Sequence, residues 1–248
     1  RSGEAMAGGA EYIEPMRTAW PQRWIAPPPS RCAVCGAWPS QPLCGACLGR
    51  FAVPRHRCLR CALPLPEGSG TCGSCLREPP PLDACHAAVP YAYPWSELLA
   101  RFKFNGEAGW ADALADVMLR APGVAAELAA ADRVLPLPLA PRRLATRGFN
   151  QSLLLARALQ PDKADARLLL RLRETGAQAA LDRQARRANV VGAFGIEPLR
   201  AAEVAGAALL LVDDVMTSGA SLHAAALALR QAGARRVAAV VLARTEET

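Results

Sequence analysis

Two stretches of this chain carry side chains whose types and spacing can do chemistry. The first is Leu209–Ser221, LLLVDDVMTSGAS. Asp213 and Asp214 are acceptors, suited to the neighbouring hydroxyls of a ribose. After Val215, the residues Met216, Thr217, Ser218, Gly219, Ala220 and Ser221 offer the opposite polarity. Three of them bring hydroxyl groups, and the backbone N–H groups from Met216 to Ala220 converge where a helix is expected to begin. Such an end favours an anion, because its first N–H groups lack internal partners and the peptide dipoles add there. Gly219 lets the backbone approach a phosphate closely. Acid pair first, donors second, is a division of labour along one small ligand, a ribose 5-phosphate. An ordinary helix cap would account for one Ser or Thr. It would not account for two adjacent aspartates at the end of a buried strand, where unpaired charge is costly.

The second stretch holds eight of the nine cysteines, in four CxxC pairs: Cys32/Cys35, Cys44/Cys47, Cys58/Cys61 and Cys72/Cys75. Each pair is a knuckle whose two thiolates can face one metal ion. Two knuckles make a tetrahedral four-thiolate site, so the count predicts two structural zinc ions. Sequential pairing is preferred, because the short loops inside Cys32–Cys47 and Cys58–Cys75 can each close a ribbon; a cross-brace would interleave them. Gly36, Gly45 and Gly73 follow cysteines directly, where knuckle turns often need positive φ. Disulfides would require an oxidising compartment, and no export signal is visible. Four complete pairs leave no vacancy for His56. The ninth cysteine, Cys85, adjoins His86; on a strand the two would point to opposite faces, so Cys85 reads as a structural thiol.

These side chains need elements to hold them. Ala207–Val212 is a short continuous apolar run, the mark of a strand buried on both faces of a parallel sheet. Ala220–Ala232 has helical composition with a glycine stop at Gly233, and Arg236–Ala243 reads as a second buried strand. The unit is βαβ, with the aspartates at the carboxyl end of its first strand, where open α/β sheets bind ligands. The expected architecture is an α/β domain over residues 83–248, preceded by a double zinc ribbon over 31–82 and a tail or linker over 1–30. Met16 is a candidate start. No apolar run reaches the length of a membrane span. The net charge is +7, and the whole excess lies in residues 132–200. A basic segment of this kind suits a polyanion, either pyrophosphate or nucleic acid.

The motif VDDVMTSGAS resembles the phosphoribosyl pyrophosphate (PRPP) signature of type I phosphoribosyltransferases. The cysteine knuckles, ARFKFNGE (100–107), LPLPLAPRRLATRGFNQS (135–152) and TGAQAALDRQARRANVVGAF (175–194) resemble the ComF family, whose members serve competence. The resemblance spans roughly Arg31–Arg244. It implies a type I phosphoribosyltransferase fold, cytoplasmic, binding PRPP with Mg²⁺. It makes Leu135–Arg143 a pyrophosphate loop, with Arg142 and Arg143 as its cations, and it turns Arg147, Asn150 and Gln151 toward anions. It makes Thr175–Asn189 a mobile loop carrying Gln178, Arg183, Arg186, Arg187 and Asn189. Alternation through Phe102, Lys103 and Phe104 would face Lys103 to solvent, whereas the resemblance makes it a phosphate contact. If the chain turns over, Asp213, Asp214 and Arg186 act on the reacting ligand. Three functions fit: a competence protein handling single-stranded DNA during uptake, a metabolic phosphoribosyltransferase, and a PRPP-responsive regulator. DNA-uptake or helicase proteins and a second copy of the chain are candidate partners. Trp38, Tyr91, Tyr93, Trp95 and Phe149 are the candidate stacking surfaces, each weighed against ordinary packing.

Overall fold

The computed structural model describes residues 29–104, 106–173 and 192–246. Nearly all of the expected tail lies outside them, and so do all five residues of the expected mobile loop, Gln178, Arg183, Arg186, Arg187 and Asn189.

In chain order, α1 (Gly45–Phe51) and α2 (Gly73–Arg77) each follow the third cysteine of a four-cysteine group. β1 (Ala84–Pro90) leads through a short turn to α3 (Trp95–Phe104), then α4 (Ala111–Leu119) and α5 (Val124–Ala130). β2 (Arg133–Pro136), α6 (Pro141–Arg147) and α7 (Gln151–Leu159) come next. β3 (Leu169–Arg171) and β4 (Phe194–Ile196) form a small antiparallel pair. β5 (Ala208–Met216), α8 (Ala220–Gln231) and β6 (Arg236–Arg244) complete the expected βαβ unit.

The main sheet is parallel, in the order β1-β6-β5-β2. β5 is central, and its alternating residues divide between two cores. Leu210 and Val212 pack with α3, α4 and α7, while Leu209 and Leu211 pack with α8. The continuous apolar run therefore reflects burial on both faces. β5 also runs further than the apolar pattern suggested. It stays paired with β6 through Asp213↔Val241 and Met216↔Arg244, so the two aspartates lie within the strand. A parallel ladder lengthens with its neighbour, whatever the polarity of the side chains at its tip.

The cysteine segments feed both cores. Leu43 is buried in the first, with Leu48 and Phe51 against it. Cys58, Cys61, Ala62 and Cys75 are buried in the second. Of the three glycines after cysteines, Gly36 alone has positive φ (+74°). Gly45 and Gly73 are instead the first residues of α1 and α2. No helix among the described residues is long and apolar enough to cross a membrane.

Candidate functional site

The carboxyl end of β5 opens into a cavity of about 280 Å³, and residues from six elements meet around it. Asp213 accepts from the Ser152 hydroxyl in the first turn of α7 (2.9 Å) and from the Asp214 N–H (2.9 Å). Asp214 is buried, and its carboxylate pairs with the Lys103 ammonium at 2.9 Å. Burial, with the charge of Asp214 added, pushes the Asp213 carboxyl up to about 7 against the pull of Ser152 and Lys103. Two carboxylates side by side in a partly dry site can both be charged only if donors and cations reach them.

Lys103 is where the strand-like reading fails. Phe102, Lys103 and Phe104 end a helix, and in α3 the three point in different directions about the axis. Phe102 is fully buried, Phe104 is 69% exposed, and Lys103 turns into the cavity.

The opposite polarity follows on the same strand. Gly219 caps α8 in the left-handed conformation (φ +79°), and a Cβ there would meet the Met216 Cε at 2.4 Å. No side chain caps α8 through the usual oxygen at this position, although the Ser218 hydroxyl accepts weakly from the Ala220 N–H (3.4 Å). Val215, Met216, Thr217, Ser218, Gly219, Ala220 and Ser221 all line the cavity, so the whole expected loop converges there.

Arg143 and Arg147 reach the cavity from α6. The Arg147 guanidinium stacks 5.0 Å from the centre of the Phe104 ring. Burial lowers its pKa, and Asp214 and Asp213 pull it back up. Arg142 lies on the same helix, exposed, and is not among the cavity residues. Consecutive helical positions sit about 100° apart, and here only Arg143 of the two turns to the cavity. Asn150 acts at the base of the loop. Its oxygen accepts from the Ser152 N–H (3.0 Å) and its amide donates to the Leu137 carbonyl (3.1 Å), which fixes the start of α7.

Tyr91, Gln151, Ser152 and Arg171 also line the cavity, and the sequence alone points to no site role for Ser152 or Arg171. Arg171 ends a three-residue strand, too short for any periodic signal. Ser152 could have been found as a hydroxyl in the first turn of a helix that follows an anion-type loop.

The cysteines fall into two groups, Cys32/Cys35/Cys44/Cys47 and Cys58/Cys61/Cys72/Cys75, with each group's sulfurs within 4.8 Å of one another. Pairing is therefore sequential. The closest cross-knuckle sulfurs, Cys35–Cys44 and Cys61–Cys72, are both 3.7 Å apart. A zinc–sulfur bond of about 2.3 Å in a tetrahedron sets sulfurs about 3.8 Å apart, so the groups fit the ion. The donor set repeats as well. The Cys44 N–H points at Cys32 Sγ (3.4 Å), and the Cys72 N–H at Cys58 Sγ (3.3 Å). Burial would raise the Cys32 thiol, but N–H groups of Cys35, Cys44 and Val34 hold it down at about 6. Burial acts the other way at Cys47 of the same group, whose thiol is pushed up to about 12, so the fit to zinc rests on the sulfur geometry.

Cys85 is 2% exposed, pushed up to about 12 by burial, with its sulfur 3.6 Å from the Met216 sulfur. It is an inert thiol. His86 points elsewhere, to Glu127 and the Pro122 carbonyl. His56 contacts the Ser69 carbonyl and belongs to neither cysteine group. Of the aromatic candidates, Trp95 is buried and bonds the Phe51 carbonyl, and Phe149 packs on Phe102. Trp38, Tyr91 and Tyr93 are exposed.

Residues 160–248 match the phosphoribosyl transferase domain, and residues 22–76 match the double zinc ribbon domain. The chain is 33% identical over 213 residues to the DNA utilization protein YhgH of Escherichia coli O157:H7, covering 82% of this chain and 90% of that protein. It is 31% identical over 211 residues to Competence protein F of Haemophilus influenzae, with the same coverage. The chain belongs to the ComF family. The zinc-ribbon match takes in all eight paired cysteines, and the transferase match takes in the loop that closes β5. Lys103, Arg143, Arg147 and Ser152 precede the transferase match, so in this ComF chain it is the fold that brings them to the loop.

Proposed function

We propose that this ComF chain binds PRPP at the end of β5 and that the bound ligand serves the handling of DNA during uptake. The observation that carries the ligand is one cavity with two polarities. Asp213 and Asp214 line it together with Thr217, Ser218, Ser221 and the start of α8. A ribose 5-phosphate presents hydroxyls and a phosphate in that order. Asp213 and Asp214 accept from the ribose hydroxyls, and the Lys103 ammonium pairs with Asp214 beside them. The N–H groups of residues 216–220 receive the phosphate. Arg143 and Arg147, with Arg171 beyond them, meet the pyrophosphate. Mg²⁺ bound with the ligand supplies the charge that lets so many anionic oxygens gather. Gln178, Arg183, Arg186, Arg187 and Asn189 are proposed to contribute from their own segment, with Arg186 acting on the reacting ligand if the chain turns over.

The DNA role rests on the family and on the relatives' names, one a DNA utilization protein and one a competence protein. Single-stranded DNA is the proposed form. The basic excess of residues 132–200 supports it, with Arg142 and Arg143 exposed on α6. The test is anisotropy of a labelled oligonucleotide across a salt series. The expected result is affinity falling as salt rises, with a log–log slope of several units. A slope near zero removes the DNA role.

One observation favours a second reading, transfer of the phosphoribosyl group to a nucleophile. Three arginines lining the cavity would stabilise a departing pyrophosphate. Pyrophosphate release from PRPP, measured with a panel of nitrogenous bases, distinguishes the two. Binding without release favours a PRPP-responsive binder over an enzyme.

A further inference from the structure

Arg244 is 1% exposed, an unusual state for an arginine. It ends β6, directly beside Met216 in the ladder. Its guanidinium donates to the carbonyls of Met216 (3.2 Å) and Thr217 (2.5 Å), at the start of the phosphate loop. It also donates to the Cys61 carbonyl (3.0 Å), inside the second cysteine group, and to the carbonyl and hydroxyl of Thr245. One buried side chain therefore touches the knuckle and the loop together.

The direction of these bonds matters. A trans peptide points its C=O and its N–H to opposite sides. When Arg244 draws the Met216 and Thr217 carbonyls toward the ribbon, the N–H groups of Thr217 and Ser218 turn away from it. Thr217 and Ser218 line the cavity at the end of β5, where the phosphate is proposed to sit. The cation behind the peptides also aligns with their dipoles, which adds positive potential where a phosphate would sit. The Thr245 N–H donates to the Met216 carbonyl as well (3.1 Å), which braces the same peptide. The Cys61 carbonyl anchors the guanidinium from the far side, and Cys61 keeps its place only while its own group is assembled.

We infer that Arg244 is a positioning residue, the strut through which the second cysteine group holds the phosphate loop in its anion-accepting form. The inference rests on the PRPP reading. It predicts coupling in both directions, because linkage between two sites is reciprocal. An assembled knuckle favours phosphate binding, and bound phosphate favours an assembled knuckle.

The experiment uses the full-length, zinc-loaded chain and two readouts. Calorimetry gives PRPP affinity in the presence of Mg²⁺ for the unaltered protein, Arg244→Met and Arg244→Lys. A colorimetric chelator gives zinc release rates with and without PRPP. The expected result is at least a tenfold loss of affinity in Arg244→Met and partial retention in Arg244→Lys. PRPP should slow the release of one of the two zinc ions in the unaltered protein, and that slowing should vanish in Arg244→Met. Should Arg244→Met not fold, the release rates of the unaltered protein still decide. Unaltered affinity in Arg244→Met, or release of both ions at rates indifferent to PRPP, overturns the strut and leaves the ligand reading standing. Absence of PRPP binding in the unaltered protein removes the ligand reading, and the strut with it.

Discussion

Asp213 carries a cost that the proposed ligand would put to use. Its carboxyl sits beside Asp214 in a partly dry site and titrates near 7, well above its ordinary 3.8. The folded state therefore holds a proton that the unfolded state has already lost between those values, so stability falls as pH rises from about 4 to 7. Asp213→Asn removes that slope. It should gain about 1–2 kcal/mol at pH 8 while losing PRPP binding, since function and stability trade at such sites. Urea denaturation at pH 4.5 and pH 8 checks this, and an Asn variant less stable at pH 8 would contradict it. The aspartate pair and the donors after it were legible because a buried strand seldom ends in two acids. Lys103 was not legible. Its neighbours on both sides are phenylalanines, and three residues cannot separate strand alternation from the end of a helix.

Among the elements, β5 and α8 were legible from apolar run, turn and glycine stop, and β6 from its own run. The extent of β5 past Val212 was not, because pairing with β6 is a tertiary property. The three-residue strands β3 and β4 were invisible for a similar reason, since each is shorter than a useful pattern. What positions them is a polar hub. Asp165 accepts from the N–H groups of Arg167 (2.9 Å) and Leu168 (3.2 Å), and pairs with Arg200 at 2.6 Å. Burial raises its carboxyl, but the Arg200 bond and the two N–H groups outweigh that and hold it below the ordinary value. This contribution is present above the unfolded pKa near 4 and is lost as pH falls through the lowered one. Asp165→Ala leaves two backbone donors without that oxygen and should cost about 1–2 kcal/mol at pH 7. Chemical denaturation reads that loss directly, and a change below about 0.5 kcal/mol, the range of ordinary surface substitutions, would show the hub to be ornamental.

At the scale of the whole molecule, the two cysteine groups serve opposite faces of one sheet. The first joins the core of α3, α4 and α7, and the second joins the core of α8. CxxC spacing announced the metal sites. It could not announce this arrangement, because nothing in a spacing tells which core a ribbon will meet. Zinc removal should therefore begin in residues 31–82 and then reach both cores. A strong chelator is expected to lower Tm by about 10 °C or more, with hydrogen exchange rising first in the ribbons and then in α3 and α8. Metal analysis showing no zinc, or a chelated protein melting at its original temperature, would contradict it.

The end of β5 is the proposed PRPP site. The most direct test is calorimetric titration of PRPP with Mg²⁺ into the zinc-loaded chain and into the variant carrying Asp213→Asn with Asp214→Asn. Saturable binding is predicted for the first, and none for the second, with zinc content and cooperative melting retained in both. Equal affinity in the two proteins, or no binding in the unaltered one, would contradict the account.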